Sequence, residues 1–229
     1  EKVTFNDTFF FFFTDPTRYE RTCQNNARAL LYDNKNRLWI ACKDKTIAIY
    51  DNSHNFLGYL HFDGSVSMQP DTSLGMAYAI TQDKSGTIWI GTKGNGLIEV
   101  QPGHSSLHFL LKQYKYSVED IYSLSHNDIY AVCEDAVGRI WIATFGGGVN
   151  YMEQIEGKTR FINYRNKLKK FPIPLCYRTR DLVSDGNGRI WIATSNGLLA
   201  CKEKFSDAEQ LEFEHYTRTP EDINSLSNN

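Results

Sequence analysis

The sequence predicts an all-β chain: a β-propeller fragment of four four-stranded blades, forming an open arc of a larger ring. Three observations predict it. A ten-residue segment recurs four times at near-constant spacing. All four tryptophans occupy the same place in it. No stretch reads as a long amphipathic helix.

The recurring segments begin at Asp33, Asp83, Asp135 and Asp185, and their tryptophans are Trp39, Trp89, Trp141 and Trp191, at steps of 50, 52 and 50 residues. A repeat of this period is the signature of stacked units of about 20–50 residues. Before each Asp lies a short segment that reads as a first strand: Ala29 to Tyr32, Tyr78 to Thr81, Tyr130 to Cys133 and the more polar Arg180 to Val183. The Asp opens a tight turn, because its carboxylate can accept from backbone N–H groups two residues on. Three residues later stand Gly86, Gly138, Gly188 and, once, Asn36. Glycine, and next asparagine, tolerate the left-handed backbone that such a turn requires.

The second strand, Leu/Ile-Trp-Ile-Ala/Gly, is apolar at every position, so it should be covered on both faces. A polar or glycine-rich turn follows, then a third strand such as Thr46 to Tyr50 or Gly96 to Val100. A fourth, aromatic-containing strand closes each unit at Phe56–Phe62, Leu107–Tyr114, Arg160–Tyr164 and Leu211–Tyr216. Four antiparallel strands repeated in this way describe propeller blades. A β-sandwich would not require the repeat of Trp and Asp. The expected units are residues 23–73, 74–124, 125–175 and 176–229. Residues 1–22, with the aromatic run Phe9 to Phe13, read as the outer strand of a preceding blade plus its linker. Tyr122 to Asn127 matches Asn224 to Asn229, so a fifth blade is expected to start where the sequence stops.

The 229 residues carry a formal charge of -2, with 41% hydrophobic and 14% aromatic residues. That composition suits a packed core and gives no electrostatic case for nucleic acid or membrane contact. No apolar run approaches the roughly 18 residues of a membrane span. The five cysteines show no Cys-x-x-Cys spacing, and their odd number forbids complete internal pairing. Most are expected to be small buried hydrophobes, and the compartment cannot be read from them.

Signatures of catalysis are sparse. Phe145 to Gly148 reads as an inter-strand turn, since no helix start follows to receive a phosphate. His104 and His108 are four apart, but a strand-and-loop setting does not bring them to one helical face as zinc binding would want. No metal and no cofactor is expected. The acidic pairs Glu119-Asp120 and Glu221-Asp222 recur at matched linker positions, which favours a role in turns. A repeated residue is a poor catalyst, because an active site needs distinct groups converging once.

The motif Asp-x-x-Gly-x-Ile-Trp-Ile-Gly/Ala-Thr, a glycine-rich turn, an aromatic strand and Ser-Leu-Ser-Asn-Asn resembles the two-component regulator propeller repeat. Asp135 to Val149 and His215 to Asn229 match it best. The first unit departs from it at Asn36 and Cys42, and the fourth has only Gly197 in its turn. The resemblance implies a ligand-sensing propeller from the extracytoplasmic, periplasmic part of a hybrid histidine kinase, whose ligands are typically oligosaccharides and whose kinase domain lies outside this chain. The alternatives are a propeller enzyme of the lyase or lactonase type and a protein-binding scaffold.

A repeated scaffold carries its function where the units differ. In a propeller the second-to-third-strand turns and the inter-blade linkers share one end, so ligand candidates are Lys43, Lys93, Asn95, Phe145 and Asn196 from the turns. Tyr19, Arg21, Tyr122, His126 and Arg178 are the candidates from the linkers. Aromatic faces and forked arginine donors suit sugars and acidic groups. An open arc leaves terminal apolar faces bare, so self-association is also expected.

Overall fold

Strand formation follows the apolar segments closely. In the computed structural model, which describes residues 27–223 and 225–227, the chain forms four antiparallel meanders. The first sheet contains β1 (Ala27–Tyr32), β2 (Leu38–Cys42), β3 (Ile47–Tyr50), β4 (Phe56–Leu60) and β5 (Val66–Ser67). The second contains β6 (Met76–Gln82), β7 (Ile88–Lys93), β8 (Leu97–Pro102) and β9 (Phe109–Tyr114). The third contains β10 (Ile129–Glu134), β11 (Ile140–Thr144), β12 (Gly148–Ile155) and β13 (Lys158–Ile162). The fourth contains β14 (Thr179–Ser184), β15 (Arg189–Thr194), β16 (Gly197–Lys202) and β17 (Glu214–Tyr216). Among the described residues, helix is confined to α1 (Ile173–Cys176) and a single 3-10 turn at Ala208–Gln210.

The first sheet has five strands where four were expected. The chain reverses at Gly64, φ +86°, and lays Val66 and Ser67 against Leu60 and Tyr59. The expected outer strand at residues 1–22 lies outside the described residues. The first strands β1, β6, β10 and β14 neighbour one another in chain order, so the sheets fan out as an open arc of propeller blades.

Alternation along the second strands explains why both of their faces are apolar. Trp39 and Ala41 face the second sheet, where they pack with Ile88 and Ile90. Leu38, Ile40 and Cys42 belong to a separate cluster on the other face. Trp89 in turn packs with Ile140 and Ile142, and Trp141 with Ile190 and Ile192. Each tryptophan therefore points to the following blade, and each flanking isoleucine pair points to the preceding one. Trp39, Trp89 and Trp141 are buried, but Trp191 is only half-buried. The expectation that every second strand is covered on both faces fails there because no following sheet covers that face among the described residues.

The turn aspartates do more than cap. Their Oδ2 atoms accept the indole N–H of the tryptophan six residues on, at 2.9 Å for Asp33, 2.8 Å for Asp83, 2.9 Å for Asp135 and 3.0 Å for Asp185. Oδ1 accepts the backbone N–H four residues on in all four turns. The predicted left-handed positions are present: φ is +58° at Asn36, +91° at Gly86, +87° at Gly138 and +96° at Gly188.

The linkers repeat their fastening as well. Ser123 Oγ accepts from Ser117 N–H at 2.8 Å and donates to Ser117 O, and Ser225 does the same to Thr219 at 2.9 Å. The carbonyls of Asp120 and Asp222 also receive these serine hydroxyls, so both acidic pairs sit in turns. Cys176 and Cys201 are buried free thiols and Cys133 is half-buried, while Cys42 is disulfide-bonded. Burial pushes the Cys133 and Cys201 thiols up to about 12.

Candidate functional site

The turns after the second strands and the inter-blade linkers are bonded together at one end of the arc. Gly96 N–H donates to Asn127 O at 2.9 Å, Phe145 N–H to Asp128 O at 2.8 Å, and Ser195 N–H to Arg178 O at 3.0 Å. Gly146 and Gly148 both donate to Tyr177 O. This end also receives the start of every first strand, where a local irregularity recurs. Pairing with the second strand skips one residue between Ala27 and Ala29, Ala77 and Ala79, Ile129 and Ala131, and Thr179 and Asp181. The extra residue of a bulge leaves the ladder and its side chain is re-aimed. The four skipped residues are Arg28, Tyr78, Tyr130 and Arg180.

These side chains meet in a continuous ladder across the inner edge of the blades. The Arg28 guanidinium lies 4.6 Å from the Tyr78 ring centre. Tyr78 stacks on Tyr130 at 4.6 Å and an interplanar angle of 23°. Tyr130 stacks on Phe145 at 4.9 Å and 19°. Beyond Phe145 lie two guanidiniums, Arg180 at 5.0 Å and Arg178 at 5.5 Å, and Arg178 also covers Tyr177 at 5.1 Å. An isolated antiparallel bridge between Phe145 and Arg178 fixes that end. The rings are half-buried and all three arginines are exposed. Burial pushes the Tyr130 phenol up, with help from Tyr78 and Asp128 and against Arg180, so it stays a neutral hydroxyl. Rings stacked on one another and capped by guanidiniums present their edges, so the ladder offers ring C–H edges, phenol hydroxyls and guanidinium N–H groups to a ligand.

Of the residues expected from sequence, Phe145 and Arg178 join the ladder, and His126 lies beside it. A Cβ on Gly146 would come within 2.6 Å of the His126 ring, so glycine lets the turn close over that imidazole. His126 Nδ1 accepts from Asp128 N–H at 3.0 Å. Asn95 spends its side-chain amide on Ser73 O and Leu74 O, tying turn to linker. Tyr122 lies toward the outer strands, under the Arg160 guanidinium at 4.7 Å. Lys43 and Lys93 are exposed in their turns, and Asn196, half-buried, offers its carbonyl to His215 at 2.6 Å. Tyr19 and Arg21 lie outside the described residues.

Arg28, Tyr78, Tyr130 and Arg180 were missed. Their signal was a constant offset: each stands five residues before its turn aspartate. Reading that column as ordinary strand hid the bulge.

His104 and His108 stack at 4.1 Å, and among the described residues no group of three or more His, Cys, Asp or Glu side chains is arranged to hold a metal. A second cleft of about 490 Å³ opens on the rim of the fourth sheet, lined by Lys202, Lys204, Phe205, Asp207 and Glu212 among others. Glu212 there is paired with Lys170. Among the described residues no helix is long and apolar enough to cross a membrane.

The sequence profile of the two component regulator propeller matches residues 73–94 and 123–146. A search of curated protein sequences found no match. Among solved structures, the chain is similar to the extracellular domain assigned to the hybrid two component system BT3049 of B. thetaiotaomicron. The identity is 19% over 85% of this chain and 25% of that one, with a TM-score of 0.62. The extracellular domain assigned to system BT4673 of the same organism gives 21% identity, 85% and 25% coverage, and a TM-score of 0.60. Virginiamycin B lyase from Staphylococcus aureus gives 13% identity, 86% and 57% coverage, and a TM-score of 0.58. The chain thus spans a quarter of the two extracellular domains and just over half of the lyase. At these identities the likeness is one of fold.

Proposed function

This chain carries two-component regulator propeller repeats, and from that premise we propose that it is a ligand-sensing module of a hybrid two-component receptor. It recognises an oligosaccharide on the Tyr78–Tyr130–Phe145 run and relays binding to a cytoplasmic histidine kinase outside this chain. The observation that carries the reading is the ladder itself. The three stacked rings cover one another's faces and present their edges and two phenol hydroxyls beside three guanidiniums, and such edges, hydroxyls and N–H groups can contact the C–H surface and the oxygens of a sugar. The ladder draws on all four described sheets, one turn and one linker, so a ligand lying along it touches several blades at once. That is the geometry a sensor needs if binding is to bias the arrangement of its blades.

The reading places the module in the periplasm. The solved relatives are extracellular domains, and the disulfide at Cys42 belongs to an oxidising compartment. It also treats the chain as a binding module rather than an enzyme. The lyase alternative rests on likeness of fold alone.

Titration calorimetry of the chain against a panel of oligosaccharides tests the sugar reading. Binding should be found, and Tyr130→Ala should abolish it while leaving the urea midpoint within a small margin. A panel with no binder overturns the proposal. The parent protein should encode a membrane helix and a histidine kinase beyond residue 229; a parent without them overturns the signalling half.

A further inference from the structure

The arginines of the ladder differ from three others in the molecule. Arg37, Arg139 and Arg189 each pair with a carboxylate, from Asp33, Asp135 and Glu214. Arg28, Arg178 and Arg180 form no salt bridge among the described residues. The side-chain hydrogen bond from this trio runs from Arg180 Nε to Ser195 Oγ, at a long 3.3 Å. Each presents one flat face to an aromatic ring. That use of the guanidinium leaves its in-plane N–H edges free, and those edges match the two oxygens of a carboxylate or sulfate.

Arg178 and Arg180 both lie against Phe145 and repel each other, and a bound anion relieves that repulsion. Two carboxylates lie nearby, and among the described residues neither forms a salt bridge with these arginines. Asp128 acts on the Tyr130 phenol, and Asp181 Oδ1 accepts the backbone N–H of Leu182. The ladder thus has an apolar centre and cationic ends, with Arg28 at one end and Arg178 and Arg180 at the other.

We propose that the site selects an acidic saccharide, one bearing carboxylate or sulfate groups spaced to reach the two cationic ends while its sugar rings run along the edges of Tyr78, Tyr130 and Phe145. The proposal rests on the oligosaccharide reading above and narrows it to a chemical class.

The experiment is titration calorimetry of the whole chain with matched probes. These are an oligogalacturonate, the same oligomer with its carboxyls reduced to alcohols, and a sulfated form of the reduced oligomer. At least one acidic probe should bind about tenfold or more tighter than the neutral one, with affinity falling as salt is raised. Whichever acidic probe wins identifies carboxylate or sulfate as the recognised group. R178Q combined with R180Q should remove the preference, as should R28Q. These residues are exposed and unpaired, so circular dichroism and urea midpoints should be unchanged. Equal affinity for neutral and acidic probes overturns the acidic class but leaves the sugar reading standing. Acidic preference that survives all three substitutions places the anion site elsewhere and overturns the assignment. No binding of any probe counts against both.

Discussion

Asp135 has two carboxylate oxygens and uses them differently. Oδ1 holds the turn through Val137 and Arg139 N–H groups at 3.0 and 2.8 Å, while Oδ2 takes the Trp141 indole at 2.9 Å. The repeated Asp and the repeated Trp are therefore one unit, linking the turn at the end of a blade to the face that packs on the next. Sequence reading recovered the turn half, because Asp-x-x-Gly is a local signal. It did not recover the indole bond, which exists only once both side chains are folded against the same sheet edge. Asp135→Ala should cost about 3 kcal/mol, since a fully buried acceptor leaves and its donors stay behind. Urea midpoints check this, and Asp185→Ala, in the more open fourth turn, should shift the midpoint less. Two of the turn aspartates, Asp33 and Asp185, tie stability to acid. At Asp33 burial pushes the carboxyl up, but the Arg37 backbone, the Trp39 indole and the Arg37 guanidinium outweigh it and hold it below its usual range. At Asp185 the Trp191 indole leads the lowering. A carboxylate with a depressed folded pKa contributes stability above its unfolded pKa, near 4, and loses it as pH falls through the folded value. Melting temperature should therefore hold down to about pH 4 and fall below it. Asp33→Asn should flatten that acid limb, and an unchanged acid limb in that variant would contradict the assignment.

The first strands and the turns show two grades of legibility at the scale of the element. The left-handed turn positions could be read directly, because glycine or asparagine recurs there and few other residues tolerate φ near +87°, the value at Gly138. Gly138→Val should cost roughly 1–2 kcal/mol from backbone strain, whereas Ala136→Val, exposed in the same turn, should be close to neutral. Equal urea midpoints for the two variants would refute the turn geometry. The bulges at Arg28, Tyr78, Tyr130 and Arg180 were not legible in the same way. A bulge has no residue requirement of its own; it is defined by how the chain pairs with β2, β7, β11 and β15. Four large side chains at one offset from the aspartates were visible in the sequence, but their projection out of the ladder was not. The functional candidates moved accordingly. Phe145 and Arg178 were among the candidates because they lie in a turn and a linker, where specificity was sought, and the strand-borne side chains of the ladder were passed over.

On the scale of the whole molecule, the arc ends in an uncovered face. Gly138 to Thr144 and Gly188 to Thr194 have the same seven residues. In β11 every position is buried, while β15 alternates between buried and half-buried. On the open side of the fourth sheet Trp191 stacks near Tyr216, and Val183 and Tyr216 are 56% and 40% exposed. Apolar faces of this kind draw partners, since burial is worth about 25 cal/mol per Å². The expected partner in a pure preparation is a second copy, meeting face to face about a two-fold axis. Sedimentation velocity at micromolar concentration should show a concentration-dependent dimer that Trp191→Glu disperses, and a concentration-independent monomer would show that the face is tolerated in water. By itself the sequence determined the all-β class, the four-fold repeat, its register and its turns, because each rests on contacts between residues near one another along the chain. Tertiary structure decided the rest. One heptapeptide is covered on both faces in the third sheet and on one face in the fourth because burial depends on the neighbour, and the ladder formed because bulges in separate sheets converge on one inner edge. Residues about 50 positions apart become adjacent only when the blades pack, so no local pattern announces what they build together.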